Sequence, residues 1–182
     1  LTIAAYEYMV SSAERRMYLN DESDTVIRIS DFLSIIPAVN GKLELVYEGE
    51  QEGSYIVVLN LISKTIKTIF NNTFPVVNIK SKDKKKDNPY KIIQDWFEKN
   101  KIKLRNDLSN EDYNNSLHQI NGLKEIVKKK LSGIDPKETN FYMEFLLHGI
   151  AENSLISKKY TNTSIDFKDL ISDIFSGEKE LK

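Results

Sequence analysis

Apolar residues recur every three or four positions along most of this chain, which is the spacing of amphipathic helices. The first such stretch predicts a helix from Leu1 to about Asn20, with an inward face made of Ile3, Tyr6, Val10, Ala13 and Met17. Because this pattern dominates and alternating strand patterns are short, we expect an all-α fold with little or no β structure.

The same spacing and the usual helix-end residues predict the other helices. Ser30 and Ser109 are candidate N-caps, since a serine hydroxyl accepts a hydrogen bond from a first-turn backbone N–H. After Gly53 a long helix continues until the break at 71–75, and Gly133 marks the end of a helix over 123–131. A last short helix is predicted from Phe167 to Phe175.

A polar and lysine-rich run over 80–88 divides the helical pattern. Such runs are typical of exposed connections between packed units. We therefore predict a lid-like helical lobe over 1–78, a basic linker over 79–88 and a second helical lobe over 89–182.

Composition restricts the function classes. The chain has 182 residues and a formal net charge of −1, so it is not an electrostatic nucleic-acid binder as a whole, and we do not expect nucleic acid as a partner. It has no cysteine, which excludes disulfides and thiolate chemistry and favours a reducing compartment. No apolar run reaches the roughly 20 residues of a membrane span, so we expect a cytoplasmic protein without membrane contact.

The sequence carries no catalytic motif. The phosphate-binding pattern GxxxxGK[ST] is missing, because Gly41 and Lys42 lack both the upstream glycine and the following Ser or Thr. His118 and His148 are not in a metal-ligand pattern, and His148 lies in an apolar run that predicts a core position. We predict no catalytic residue, no metal site and no bound cofactor in this chain.

The most unusual stretch is GKLELVYEGEQEG over 41–53, which carries the carboxylates of Glu44, Glu48, Glu50 and Glu52. Three interpretations stay open for it: a solvated acidic surface, a docking surface for cationic side chains of a neighbouring subunit or partner, or an oxygen-ligand Mg²⁺ or Ca²⁺ site. Of the three, we assign these four glutamates to docking and assign no metal. Because the apolar run over 43–47 is short, the spacing of its apolar residues does not decide between a helix and a strand.

The sequence of this stretch closely resembles a segment that follows the nucleotide-binding core of magnesium chelatase subunit I-like AAA+ ATPases. Three flanking segments resemble the same family: YEYMVSSAERRMYLN, NPYKIIQDWF and FYMEFLLHGIAENSLISKK. The resemblance covers nearly the whole chain, but only the C-terminal part of the family. It implies a non-catalytic helical region whose longer parent binds ATP and Mg²⁺, and it favours helix over 43–47.

The resemblance also implies a nucleotide sensor. In AAA+ enzymes the helical lid supplies an arginine that meets the γ-phosphate, and Arg15 and Arg16 lie in the matching neighbourhood. The expected partners are neighbouring ATPase subunits or another protein. The chain opens on Leu1 within a helical pattern, so we expect a piece of a longer protein.

A competing hypothesis is a freestanding helical protein-interaction module without ATPase activity. The two hypotheses differ in whether Walker A and Walker B motifs precede Leu1 in the gene.

Overall fold

The computed structural model describes residues 2–39, 42, 53–77 and 88–171, and most of these residues are helical. The helices are α1 Thr2–Leu19, α2 Ile35–Val39, α3 Ser54–Thr73, α4 Lys91–Phe97, α5 Asn110–His118, α6 Leu123–Lys130 and α7 Thr139–Glu152. Two 3₁₀ helices cover Ile29–Ser34 and Pro136–Glu138. The predicted helical fold class is thus confirmed in its main feature.

A small sheet accompanies the helices. Its strands are β1 Ile102–Arg105, β2 Ser157–Tyr160 and β3 Ser164–Lys168, and β3 lies between the other two, antiparallel to both. Ile102 pairs with Phe167, and Tyr160 pairs with Ile165. The helix predicted from Phe167 to Phe175 is therefore wrong at its start, because Phe167 and Lys168 belong to β3.

Helix α7 lies at the centre of the hydrophobic core. From Met143 to Ile150 every residue is buried, so this helix is surrounded on all sides rather than facing the core with one stripe. Around it pack apolar side chains of α3, α4, α5, α6 and the sheet, among them Phe70, Phe97, Leu117, Val127 and Phe167.

Helices α3 and α7 meet at a glycine. A Cβ atom at Gly149 of α7 would overlap the ring of Phe70 on α3, so this close approach requires glycine. Phe70 also packs near Phe74, Tyr90 and Phe145, with ring centroids 5.3 to 6.5 Å away. The core thus takes side chains from both sides of the predicted linker, of which the structure describes only Asn88. The division into lobes over 1–78 and 89–182 stays a prediction.

The predicted bounds of helix α1 are confirmed, and its predicted inward face is correct at Ala13 but wrong at its N-terminal end. Ile3 and Tyr6 are 76% and 59% exposed, whereas Ala13 and Arg16 are buried. The reason is that α1 packs against the 3₁₀ helix 29–34 and α2, which cover only part of its length.

The two predicted N-caps have different outcomes. Ser109 caps α5 as expected, since its hydroxyl accepts a hydrogen bond from the Asp112 backbone N–H at 3.0 Å. Ser30 is not a cap, because the 3₁₀ helix already begins at Ile29. There the carboxylate of Asp31 accepts a hydrogen bond from the Arg28 backbone N–H at 2.8 Å instead.

Candidate functional site

A buried ion pair joins the last turn of α1 to the 3₁₀ helix 29–34. The Arg16 guanidinium donates from Nη1 to both carboxylate oxygens of Asp31, at 2.7 and 2.9 Å, and both side chains are only 2% exposed. From Nη2 it donates to the Thr25 hydroxyl and to the Val26 carbonyl. An arginine held by this many bonds in a dry site has a fixed position.

Asp31 accepts further hydrogen bonds, whereas the buried Nε atom of Arg16 has no partner among the described residues. The Asp31 carboxylate also accepts hydrogen bonds from the Ser12 hydroxyl and the Arg28 backbone N–H, both at 2.8 Å. A buried carboxylate costs little only when its oxygens are paired in this way. Asp31 therefore joins α1 to the chain that follows it.

Arg28 extends this cluster towards α5. It is 2% exposed, its guanidinium lies 4.1 Å from the ring centroid of Tyr113, and it donates to the Leu108 carbonyl and to Oδ1 of Asn110. Burial, followed by the nearby charge of Arg16, lowers the pKa of Arg28 to about 10. Arg28 thus stays a cation at neutral pH and stacks on an aromatic face.

Glu144 connects the cluster to α7. Its Oε2 atom accepts hydrogen bonds from the Ile29 backbone N–H at 3.0 Å and from the Tyr113 hydroxyl at 2.6 Å. Burial by itself raises the pKa of Glu144, but His148, the Tyr113 hydroxyl and the Ile29 N–H together hold this pKa below its ordinary value. The same hydrogen bond and the burial of Tyr113 raise the pKa of the phenol.

His148 lies one helical turn after Glu144 and is fully buried, as predicted. Its Nε2 is 3.8 Å from Oε1 of Glu144, which is too long for a hydrogen bond. On its other side, Nδ1 is 3.4 Å from the Lys158 ammonium on β2, which also pairs with Glu152. Burial lowers the pKa of His148.

Hydrogen bonds and ring contacts join these charged and polar groups from α1, through the 3₁₀ helix, to Glu144 on α7, and the approach of Glu144 to His148 at 3.8 Å leads on to strand β2. We call this set of groups the buried polar network, and its ionisable members are Arg16, Arg28, Asp31, Glu144, His148, Lys158 and Glu152. Sequence reasoning singled out Arg16 and His148 but missed Arg28, Asp31 and Glu144 as members. The presence of Glu144 in the apolar run FYMEFLLHG, four residues before His148, was the available signal.

Arg15 lies outside the network. It is exposed and lines a cleft of about 400 Å³, together with Arg16, the carboxylate of Asp107 and the hydroxyl and amide groups of Ser12, Ser30, Ser34, Asn106, Asn162 and Thr163. Among the residues the structure describes, Arg15 has no hydrogen bond or ion pair. The two neighbouring arginines thus differ sharply, because Arg16 is anchored and Arg15 is accessible.

The acidic residues Glu44, Glu48, Glu50 and Glu52 lie outside the described residues. An apolar cleft of about 570 Å³ lies between α1, α2, α3 and α7, lined mainly by aliphatic and aromatic side chains such as Met9, Ile35, Leu61 and Phe141.

Comparison of the chain with protein-family models, with curated proteins and with solved structures finds no match. Within the described ranges, no cluster of three or more potential metal ligands occurs. None of the helices in that part of the chain is both long and apolar enough to span a membrane.

Proposed function

We propose that this chain is the non-catalytic C-terminal helical part of a cytoplasmic AAA+ ATPase that resembles magnesium chelatase subunit I. In this proposal the parent protein binds ATP and Mg²⁺. The chain relays the nucleotide state to contacts with neighbouring subunits or a partner protein.

The observation that carries the proposal is the contrast between Arg15 and Arg16. A nucleotide sensor needs a cation that a phosphate can reach, and it also needs a firm connection from that cation to the rest of the molecule. Arg15 is exposed and unpaired within the described residues, while Arg16, its neighbour on α1, is bound to Asp31. Arg15 is therefore the better candidate for contact with a phosphate, and Arg16 for anchoring the helix.

The buried polar network supports the relay. Arg16, Asp31, Arg28 and Glu144 connect α1 to α7 through hydrogen bonds and a stacked ring. A displacement of α1 would then move the 3₁₀ helix 29–34 with it. Movement of α1 alone would leave the buried charges of Arg16 and Asp31 unpaired.

The test is ATP hydrolysis by the full-length ATPase that contains this chain. We expect Arg15→Ala to lower turnover by about a hundredfold, the usual cost of losing one group that stabilises transition-state charge. The control is Lys91→Ala, which removes an exposed cation that pairs with Asp95 on α4 and does not line the cleft of Arg15. Normal turnover of the Arg15→Ala enzyme would refute the sensor role.

A freestanding helical interaction module is the second candidate, and the apolar cleft between α1, α2, α3 and α7 favours it. The gene separates the two candidates. Walker A and Walker B motifs upstream of Leu1 in the same reading frame are expected under the first, and their absence would remove it. The isolated chain should not hydrolyse ATP under either.

A further inference from the structure

A second polar cleft lies between α5, α6, the loop over 131–135 and the start of α7. Its volume is about 480 Å³, within the range of small-molecule sites. Its polar and charged lining groups belong to Asn114, His118, Lys124, Lys128, Ser132, Thr139 and Asn140. We call it the basic cleft.

The charged side chains of the basic cleft are all basic. Lys124 and Lys128 line it together with His118, and no carboxylate does. Neither lysine forms an ion pair within the part of the chain that the structure describes. Two cations thus lie at one small concave surface without a counter-charge there.

Helix stability does not explain this arrangement. Lys124 and Lys128 are four residues apart on α6, where like charges repel each other. Lys128 lies in the last turn, where the helix dipole favours a cation, but Lys124 lies in the first turn, where the dipole disfavours one. An anion between the two ammonium groups would remove both unfavourable effects.

Neutral hydrogen-bonding groups complete the cleft. The Asn140 amide donates to Oδ1 of Asn114 at 3.2 Å, so both side chains are held at the wall. His118 lies beside them, and its pKa is lowered first by burial and then by the charge of Lys124. A bound anion would oppose the effect of Lys124 and raise the pKa of the His118 imidazole.

We propose that the basic cleft binds the phosphate group of a small phosphorylated molecule, with Lys124 and Lys128 as its charge partners. A phosphate monoester carries nearly two negative charges at neutral pH, which matches two ammonium groups, and its oxygens accept several hydrogen bonds. This inference does not rest on the proposed ATPase parent, because the binding is measured on the chain itself.

The experiment is a calorimetric titration of the chain with phenyl phosphate at low ionic strength, with inorganic phosphate and succinate in parallel. We expect saturable binding of phenyl phosphate with a dissociation constant of about 1 mM or lower. Inorganic phosphate should compete with it, and succinate should bind more weakly. In a parallel NMR titration, the ring protons of His118 should report a raised pKa when the cleft is occupied.

Two matched variants locate the site. Lys124→Gln with Lys128→Gln should weaken binding by about tenfold or more. The control, Lys129→Gln with Lys130→Gln, removes the same charge from the same helix but from residues that do not line the cleft. Circular dichroism checks that both variants stay folded.

Three results would overturn the proposal. Equal weakening by both variants would mean that binding depends on general charge rather than on the cleft. Absence of saturation up to about 10 mM phenyl phosphate would mean that no site exists at a useful affinity. Succinate binding as tightly as phenyl phosphate would remove the assignment to phosphate.

Discussion

Nη1 of Arg16 donates to both carboxylate oxygens of Asp31, at 2.7 and 2.9 Å, in a site where each side chain is only 2% exposed. Such a pair is costly to break, since the remaining partner keeps its charge without a counter-ion. It also joins the helix that carries Arg15 to the centre of the fold. Both its structural and its proposed functional roles depend on this one contact.

The first prediction concerns the stability of this pair. Arg16→Ala or Asp31→Ala should each lower the free energy of unfolding by about 3–5 kcal/mol, because each leaves one buried charge unpaired. The combined variant Arg16→Met with Asp31→Leu should lose much less. Urea denaturation of the chain measures this difference, with Arg105→Ala as a control in an exposed pair that should change little. Additive losses in a combined Arg16→Ala, Asp31→Ala variant would show that the two residues do not interact.

A second prediction isolates the hydrogen bond between Tyr113 and Glu144. Tyr113→Phe removes the hydroxyl that donates to the buried carboxylate at 2.6 Å, so the free energy of unfolding should fall by about 1–3 kcal/mol. The control is Tyr142→Phe, which deletes the same atom from a partly buried tyrosine on α7 and should have a small effect. Equal effects of the two substitutions in urea denaturation would contradict this role for Tyr113.

The third prediction is a pH dependence that originates at His148. Because burial lowers the pKa of this imidazole below its ordinary value of 6.5, the unfolded chain binds a proton more readily than the folded chain. The stability that comes from keeping His148 neutral should be fully present above about pH 6.5, the pKa of the imidazole in the unfolded chain. It should decline as the pH falls from there through the lowered pKa of the folded chain. Lys158 and Glu152 face one side of the ring and Glu144 the other, and their opposing charges modulate the shift.

Thermal unfolding between about pH 5 and pH 8 measures this dependence. His148→Gln should flatten the profile in that interval. His118→Gln is the control, because His118 is exposed and its lowered pKa contributes less. A profile in which His118→Gln has the larger effect would refute the assignment.

A fourth prediction tests the contact between α3 and α7. Gly149→Ala should destabilise the chain by about 1–3 kcal/mol through overpacking against Phe70, even though alanine favours a helix. Phe70→Leu in the same chain should recover part of that loss, because a smaller side chain leaves room for the methyl group. A double-mutant cycle in urea measures the coupling, and a coupling energy of zero would mean that the two residues do not touch.

The candidate site shows what a single sequence could and could not predict. The family resemblance selected Arg15 and Arg16 as a pair, and helical spacing places Arg16 beside the apolar stripe of α1 and Arg15 nearer the opposite face without showing what either one contacts. The structure separates them because the partner of Arg16 is Asp31, which lies 15 residues away along the chain. Periodicity does not mark Asp31 as a buried residue, because its burial depends on how α1 packs over the 3₁₀ helix.

By itself, the sequence determined the features that depend on neighbours within a few positions. The bounds of α1 and α3, the Ser109 cap and the core position of His148 all follow from local spacing and local hydrogen bonds. Only the tertiary structure decided the sheet, because β1 and β3 pair residues such as Ile102 and Phe167 that are distant in sequence. The tertiary structure also decided which charged side chains are buried together. Burial depends on packing between elements, whereas periodicity in the sequence describes one element at a time.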